Sequence, residues 1–254
     1  MNEDKLYPVD YSVFVMSRQE KNKFIIIAAA ALFLTGYIFF QSLIISGIFS
    51  MGSFLYPAYK GRELIEKRKR ALLVQFKDAL YSLSSSLGVG KSLESSFKYA
   101  LNDLRVLYPD EDTYILKEFE LICRKIEMNV PVEKALEDLS KRSGLEDINS
   151  FTEVIAICKR TGGNLVEVVK STSKVISGKI EIEQEINILL SSKKYEQKIL
   201  NIMPILFIGL INFGGSGYTD ALYTSFTGYL IMGLALALLA LSYLVSHKIM
   251  DIKV

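Results

Sequence analysis

Two long uncharged stretches limit what this chain can fold into. From Phe24 to Tyr59 there is no charged residue and no histidine, and from Ile199 to Ser246 the only charged residue is Asp220. Uncharged apolar stretches of this length are typical of transmembrane segments. The residues between them, about 60–198, are charged throughout and are long enough for one domain of ordinary size.

The first stretch is too long for a single crossing. As one straight helix it would extend roughly 54 Å, whereas the hydrocarbon core of a bilayer is about 30 Å thick. Basic residues flank it on both sides: Arg18, Lys21 and Lys23 before it, and Lys60, Arg62, Lys67, Arg68, Lys69 and Arg70 after it. Because positive charge is retained in the cytoplasm, matching flanks require an even number of crossings. We therefore expect two short helices with a tight turn near Gln41 and Ser42; a cleaved signal peptide is disfavoured because the apolar region is too long.

The second stretch follows the same logic. Lys193, Lys194 and Lys198 precede it, and His247, Lys248 and Lys253 follow it, with an outside loop over Phe213–Asp220. The predicted fold is all-α: four transmembrane helices in two hairpins flank a cytoplasmic helical domain, in the inner (plasma) membrane with both termini in the cytoplasm. The expected segments are 1–23 (cytoplasmic), 24–59 (two spans), 60–198 (cytoplasmic domain), 199–247 (two spans) and 248–254 (cytoplasmic tail).

The charged middle region has helical periodicity almost throughout. Apolar residues recur at helical spacing in six segments. Four are 63–86, 93–107, 113–128 and 147–159; between the last two of these, a short helix begins at Pro131 and ends at Ser143–Gly144, and a final helix extends from Leu165 to about Lys198. Small-residue turns at Leu87–Leu93, Met128–Val132 and Thr161–Leu165 form a weak internal repeat. This pattern predicts three antiparallel hairpins in a six-helix bundle. It also places the three turns together at the end distal to the bilayer.

The turn over Thr161–Asn164 carries the clearest local signals. Gly162 and Gly163 are expected to end one helix, with a left-handed residue among them. Asn164 is expected to cap the next helix, and Glu167 to reach back to the Asn164 N–H in a capping-box-like arrangement.

Residues for catalysis or cofactor binding are not apparent. Gly88–Ser92 ends like a phosphate-binding loop, but its first glycine is missing and it follows a helix where a strand is required. Cys123 has no histidine in its domain, and His247 lies at the membrane edge. We therefore predict no enzyme activity, no catalytic residues, no cofactor and no metal. The net charge of +2 gives no support for nucleic-acid binding, and the spans lack the central ionisable groups of a transporter.

Three segments together resemble a known family. They are Thr161–Val169, the Leu87–Leu93 turn, and Lys194–Pro204 at the start of the third predicted span. These residues, with the two apolar hairpins around one cytoplasmic domain, resemble the type II secretion system F domain, and most of all the TadB-type platform proteins of tight-adherence (Tad) and type IV pili. The resemblance covers about residues 60–250. It includes one such domain, whereas larger members of the family carry two.

The resemblance implies a non-enzymatic inner-membrane platform that couples a cytoplasmic hexameric ATPase to pilin extraction and polymerisation. Its partners would be that ATPase, pilin subunits, membrane lipids, and a TadC-like second platform protein or another copy of itself. The expected docking residues are Gly88, Gly90, Lys91, Arg160, Thr161, Gly162, Gly163, Asn164 and Glu167, and the expected membrane-coupling residues are Glu185, Lys194, Glu196 and Pro204. The alternatives are a membrane-anchored helical signalling scaffold and a membrane enzyme that uses carboxylates near the lipid surface.

Overall fold

The computed structural model describes residues 10–13, 18–214 and 223–250. These residues are helical almost throughout and contain no strand, so the all-α prediction is confirmed. The helices are α1 (Arg18–Phe40), α2 (Leu43–Ser50), a 3₁₀ helix (Met51–Leu55), α3 (Tyr56–Gly88), α4 (Leu93–Leu107), α5 (Tyr114–Glu127), α6 (Val132–Ser143), α7 (Glu146–Thr161), α8 (Leu165–Phe213) and α9 (Phe226–Met250).

The chain divides into two compact units. The first, which we call the bundle unit, holds Arg62–Ile182 together with residues 10–13. The second, which we call the apolar unit, holds residues 18–61, 183–214 and 223–250. Helices α3 and α8 each contribute to both units.

The bundle unit consists of six helical segments around one apolar core. They are the later part of α3, then α4 to α7, then the first part of α8, so the predicted six helices are confirmed. Amphipathic faces supply the core, because apolar residues three and four positions apart share one side of a helix. Its largest fully buried side chains are Phe76, Phe97, Phe119, Phe151, Leu72, Leu80, Leu83, Leu104, Ile115 and Ile122, with Tyr11 from the N-terminal segment.

In the apolar unit, α1 and α2 form a close helix pair. The turn falls at Gln41 and Ser42 as predicted, and Gln41 has a left-handed φ of 47°. A Cβ atom added to Gly36 would lie 3.1 Å from the Ser46 Cα atom. Small residues therefore let the two backbones approach closely, as is common between helices in membranes.

Two helices among the described residues are long and apolar enough to cross a membrane. They are Gln19–Phe40 and Phe226–Ser246. In the most apolar 18-residue segment of each helix, only 17% and 11% of the residues are buried within the structure. The core helix of a soluble protein would be mostly buried. This exposure is compatible with a membrane protein.

The other two predicted spans do not form single long apolar helices. After α2, which has only 8 residues, the chain passes through a 5-residue 3₁₀ helix before α3 begins. The apolar end of α8, Ile199–Phe213, is roughly 22 Å long at 1.5 Å per residue, short of the hydrocarbon thickness. The loop expected over Phe213–Asp220 lies largely outside the described residues. Among the described residues, two helices therefore meet the length and hydropathy criteria for a span, whereas the sequence predicted four spans.

Candidate functional site

The three turns that the sequence indicated share one backbone design. Each contains one left-handed residue: Gly90, Asn129 and Gly162, with φ of 84°, 60° and 70°. In each turn the next N–H donates to the carbonyl five residues back, over 3.4, 2.9 and 2.9 Å: Lys91 to Ser86, Val130 to Lys125 and Gly163 to Cys158. This is the Schellman ending of a helix. The weak sequence repeat is therefore a repeat of structure.

One lysine links the three hairpins at this end of the bundle. The Lys159 Nζ atom lies 3.3 Å from Glu94 Oε1 and 3.1 Å from Glu133 Oε2. Lys159 is in the last turn of α7, while Glu94 and Glu133 are in the first turns of α4 and α6. The prediction that the three turns lie together is confirmed. We call residues 88–91, 128–131 and 160–164 the turn end.

The ion pairs perturb the titration of Lys159. Partial burial lowers the pKa of the Lys159 ammonium, but hydrogen bonds to Glu133 and Glu94 outweigh burial, and the pKa is raised. At neutral pH the lysine is therefore charged and forms ion pairs with the Glu94 and Glu133 side chains.

The glycines at positions 162 and 163 are required by the turn itself. Gly162 has a φ of 70°, a region that L side chains rarely adopt. A Cβ atom added to Gly163 would lie 2.7 Å from the Cys158 Sγ atom, closer than a real contact allows. Gly88, in contrast, has no atom within 4 Å of an added Cβ. A docking role for Gly162 and Gly163 must therefore be separated from their role in the backbone.

Asn164 caps α8 as predicted. Its Oδ1 atom accepts a hydrogen bond from the Glu167 N–H over 3.3 Å. The structure thus shows the forward bond of the expected capping box. Thr161 ends α7 on the other side, where its hydroxyl donates to the Ile157 carbonyl over 3.0 Å.

Most of the predicted docking residues are accessible. Gly88, Gly90, Glu167 and the run 160–164 are exposed, and all of them belong to the turn end or to the first turn of α8. Lys91 is half-buried, with its ammonium over the Tyr99 ring. The structure therefore brings together the residues that the sequence assigned to one surface.

Two exposed apolar residues at the turn end escaped the sequence reasoning. Val89 is 78% exposed and Met128 is 68% exposed. Each immediately precedes the left-handed residue of its turn, so the two occupy equivalent positions in the repeat. Aligning the turns on Gly90 and Asn129 would have identified them.

The predicted membrane-coupling residues all lie on α8. This helix is continuous over 49 residues and contains Pro204, so it extends beyond the predicted end at Lys198. Glu185 is exposed, and Glu196 pairs with Lys193 of the same helix at 2.9 Å. Lys194 Nζ lies 3.5 Å from the Asn187 Oδ1 atom. The ion pair and the hydrogen bond that these residues make stay within α8.

A buried charged cluster lies at the opposite end of the bundle, and the sequence analysis missed it. The Glu118 carboxylate is 1% exposed and accepts two hydrogen bonds from the Arg142 guanidinium. Arg142 also donates to Asp138 over 3.0 Å, and the Tyr11 hydroxyl donates to Glu118 over 2.9 Å. One signal was present: Glu118 occupies the apolar stripe of α5 formed by Ile115, Phe119 and Ile122.

The remaining candidates for chemistry have unreactive surroundings. Burial raises the pKa of the Cys123 thiol to about 11, so at neutral pH it is the un-ionised, poorly nucleophilic form. Among the described residues, no group of three or more His, Cys, Asp or Glu side chains is arranged to hold a metal ion.

No family model, curated protein or solved structure matches the chain.

Proposed function

We propose that this chain is an inner-membrane platform protein of a Tad/type IV pilus or type II secretion machine. It would couple a cytoplasmic hexameric ATPase to the extraction and polymerisation of pilin subunits. The observation that carries the proposal is the turn end: three equivalent turns, linked by Lys159, present one accessible surface. Gathered helix ends of this kind suit a rigid body that receives force from a partner.

The proposal includes two membrane hairpins with both termini in the cytoplasm. Contacts inside the apolar unit support it. The Ile38 carbonyl near the end of α1 accepts hydrogen bonds from Asn212 Nδ2 at 3.0 Å and from the Tyr223 hydroxyl at 3.3 Å. Asn212 is near the end of α8 and Tyr223 precedes α9, so the end of α1, the end of α8 and the start of α9 lie together. Two hairpins that cross the membrane four times would bring these helix ends to the same side, so the contacts support the proposal.

The second and third predicted spans, which are not single long apolar helices, fit the same topology if the uncharged residues next to α2 and to the end of α8 are included. From Leu43 through the 3₁₀ helix to Tyr59 the chain carries no charge. At 1.5 Å per residue this path is roughly 26 Å long, close to the hydrocarbon thickness. The apolar end of α8 continues in sequence through Gly214–Thr219, which is also uncharged.

The turn end is the proposed docking surface for the ATPase. Arg160 is exposed there and, among the described residues, has no carboxylate within ion-pair distance. Since the chain contains one F-domain-like bundle, the complete platform would need a TadC-like second protein or another copy of this chain.

Docking is best tested by a substitution that leaves the turn backbone intact. Gly162→Ala and Gly163→Ala do not qualify, because both would also strain the turn. Arg160→Glu reverses one exposed charge at the turn end, and Lys174→Glu makes the same change on an exposed part of α8 away from it. We expect Arg160→Glu to reduce co-purification of the secretion ATPase and the number of pili, while Lys174→Glu preserves both. Equal ATPase recovery and equal piliation in the two variants, at equal expression, would refute docking at the turn end.

Topology is tested by single cysteines and a membrane-impermeant maleimide. On intact cells, or on spheroplasts if an outer membrane is present, Ser42→Cys and Ser216→Cys should be labelled. Ser171→Cys, on an exposed position of the bundle unit, should be labelled only after permeabilisation. Labelling of Ser171→Cys from outside, or protection of Ser42→Cys in both conditions, would contradict the two-hairpin arrangement. A large sensory segment on the outside, as a signalling scaffold would need, is not part of this topology.

A further inference from the structure

Residues 10–13 are held by the bundle unit although they precede α1 in the sequence. The Tyr11 side chain is 0% exposed, and its backbone N–H donates to the Arg142 carbonyl over 2.9 Å. Its ring packs edge-on against Tyr114, with ring centroids 5.7 Å apart. A segment without regular secondary structure is thus fixed by both its backbone and its side chain.

The contact with Glu118 makes this placement specific. Glu118 Oε1 accepts from the Tyr11 hydroxyl at 2.9 Å and from Arg142 Nη1 at 2.7 Å. A buried carboxylate that lost one of these donors would retain its charge without full compensation. Arg142 of α6 gives the Glu118 carboxylate of α5 two hydrogen bonds, and the Tyr11 hydroxyl supplies a third.

We propose that the bundle carries a tyrosine-binding slot built from Glu118, Arg142 and Tyr114, and that residues 10–12 are its ligand in cis. The slot binds an extended segment with a neutral tyrosine side chain. The hydroxyl donates to Glu118, the backbone N–H donates to the end of α6, and the ring packs on Tyr114.

The neighbouring groups complete the binding of the segment. Ser12 N–H bonds to the Asp10 carboxylate at 2.8 Å, which fixes a local turn around Tyr11. Lys69 Nζ donates to the Gly144 carbonyl at 3.3 Å, and the Arg68 guanidinium lies 5.8 Å from the centre of the Tyr114 ring. Two cations of α3, Lys69 and Arg68, therefore lie beside the segment, and their positive charge partly balances the negative charge of Glu118.

The slot gives the N-terminal segment a definite role. Tyr11 lies at the end of the bundle opposite the turn end, since it contacts the last residues of α6 and the first of α5. In the sequence it comes shortly before Arg18, where α1 begins. The bundle unit thus holds the chain both before the α1–α2 hairpin, through Tyr11, and after it, through α3. This inference does not depend on the proposed secretion role.

Hydrogen exchange on the full chain in lipid nanodiscs tests the slot. We expect the Tyr11 amide to be protected in the wild type, and Tyr11→Ala to abolish protection of the amides of residues 11 and 12. Tyr11→Phe retains the ring and the backbone bond but not the hydroxyl, so its protection should fall about ten-fold. The matched control Tyr81→Phe, at a tyrosine that is 75% exposed on α3, should change nothing.

Two outcomes would overturn the slot. One is exchange of the Tyr11 amide in the wild type at the rate of an unstructured peptide; the other is equal protection in the wild type and in Tyr11→Ala. Glu118→Gln should reduce the protection of the amides of residues 11 and 12 in the same way. The amides of α7 report whether the bundle itself remains folded in that variant, and if it does not, the Tyr11→Ala result alone decides.

Discussion

The two units treat their apolar side chains in opposite ways. In the bundle unit Phe76, Phe119 and Phe151 are each 1% exposed. In the apolar unit Ile44, Leu210 and Leu234 are 79%, 68% and 65% exposed. Both units are built from α-helices, so secondary structure does not account for the difference. The difference is where the apolar residues lie: on one stripe of each helix in the bundle unit, and all around the helix in the apolar unit.

Polar groups follow the same division. In the bundle unit charges are paired across helices, as in Glu118 with Arg142 and Lys179 with Asp147. In the apolar unit two uncharged groups, the Asn212 amide and the Tyr223 hydroxyl, donate to one backbone carbonyl, that of Ile38. A unit that closes its own core can be stable in water. A unit that leaves large apolar side chains outside needs lipid or a partner around it.

The largest expected effect tests whether the bundle unit has a self-sufficient core. Phe76 packs edge-on against Phe151, with centroids 5.4 Å apart. Phe76→Ala should lower the opening free energy of the bundle amides by about 3–5 kcal/mol, because it leaves a cavity in a packed core. Hydrogen exchange at α5 and α7 measures this. Tyr81→Ala, on the exposed side of the same helix, should lower it by less than about 0.5 kcal/mol; equal losses would mean that α3 does not pack as described.

A charge placed on an exposed residue should distinguish the surroundings of the two units. Leu234→Arg, on α9, should impair membrane insertion by about 3 kcal/mol if this surface faces lipid. Tyr81→Arg should have no such effect, because the exposed face of the bundle unit is hydrated. The measurement is the fraction of chain that resists carbonate extraction from membranes. Normal integration of Leu234→Arg would contradict the contrast between the units.

Local signals explain why the bundle could be predicted from the sequence. The predicted helix 93–107 is α4, Leu93–Leu107. Its start was predictable because Gly90 forms the turn before it and Ser92 caps its first turn. Gly144 ends α6 with a left-handed φ of 57°, as a glycine after a helix does. These signals act within a few residues and can therefore be recognised in a single sequence.

Long-range contacts explain what could not be predicted. Tyr11 and Glu118 are 107 positions apart, and nothing near Tyr11 in the sequence indicates its partner. The 3₁₀ helix between α2 and α3 could not be predicted either, because apolar composition alone does not distinguish one long helix from two shorter ones. The glycine turn at Gly162–Gly163 was predictable, but the lack of space for a Cβ atom at Gly163, beside the Cys158 sulfur, is not visible in the sequence.

The third prediction tests how tightly the bundle unit packs at its turn end. Gly163→Ala should destabilise the bundle by about 1–3 kcal/mol, because the new methyl group overlaps the Cys158 sulfur. Gly178→Ala is the control: it lies within α8 with no atom within 4 Å of an added Cβ, and it should stabilise the helix by up to about 1 kcal/mol.

A double-mutant cycle identifies the cause of that loss. If the overlap with sulfur is responsible, adding Cys158→Ala should make the effect of Gly163→Ala smaller than it is alone. Additive losses would place the strain in the backbone of the turn. Chemical denaturation of the full chain in detergent, followed by circular dichroism, measures all four variants.

The smallest expected effect concerns the polar contact of the apolar unit. Asn212 Nδ2 donates to the Ile38 carbonyl, and the single proton of the Tyr223 hydroxyl is shared between that carbonyl at 3.3 Å and Asn212 Oδ1 at 3.0 Å. Hydrogen bonds between membrane helices contribute about 0.6 kcal/mol each on average. Asn212→Leu should therefore lower the stability of the apolar unit by roughly 1 kcal/mol, since two of the three bonds involve this side chain.

Steric trapping of the two hairpins in bilayers can resolve a difference of this size. Asn201→Leu is the control, about three helical turns earlier on α8. If Asn212→Leu is no more destabilising than the control, the carbonyl of Ile38 is satisfied by Tyr223 alone. If the loss is several-fold larger than expected, the two hairpins depend on this one junction, and the apolar unit is less different from the bundle unit than the exposure of its side chains indicates.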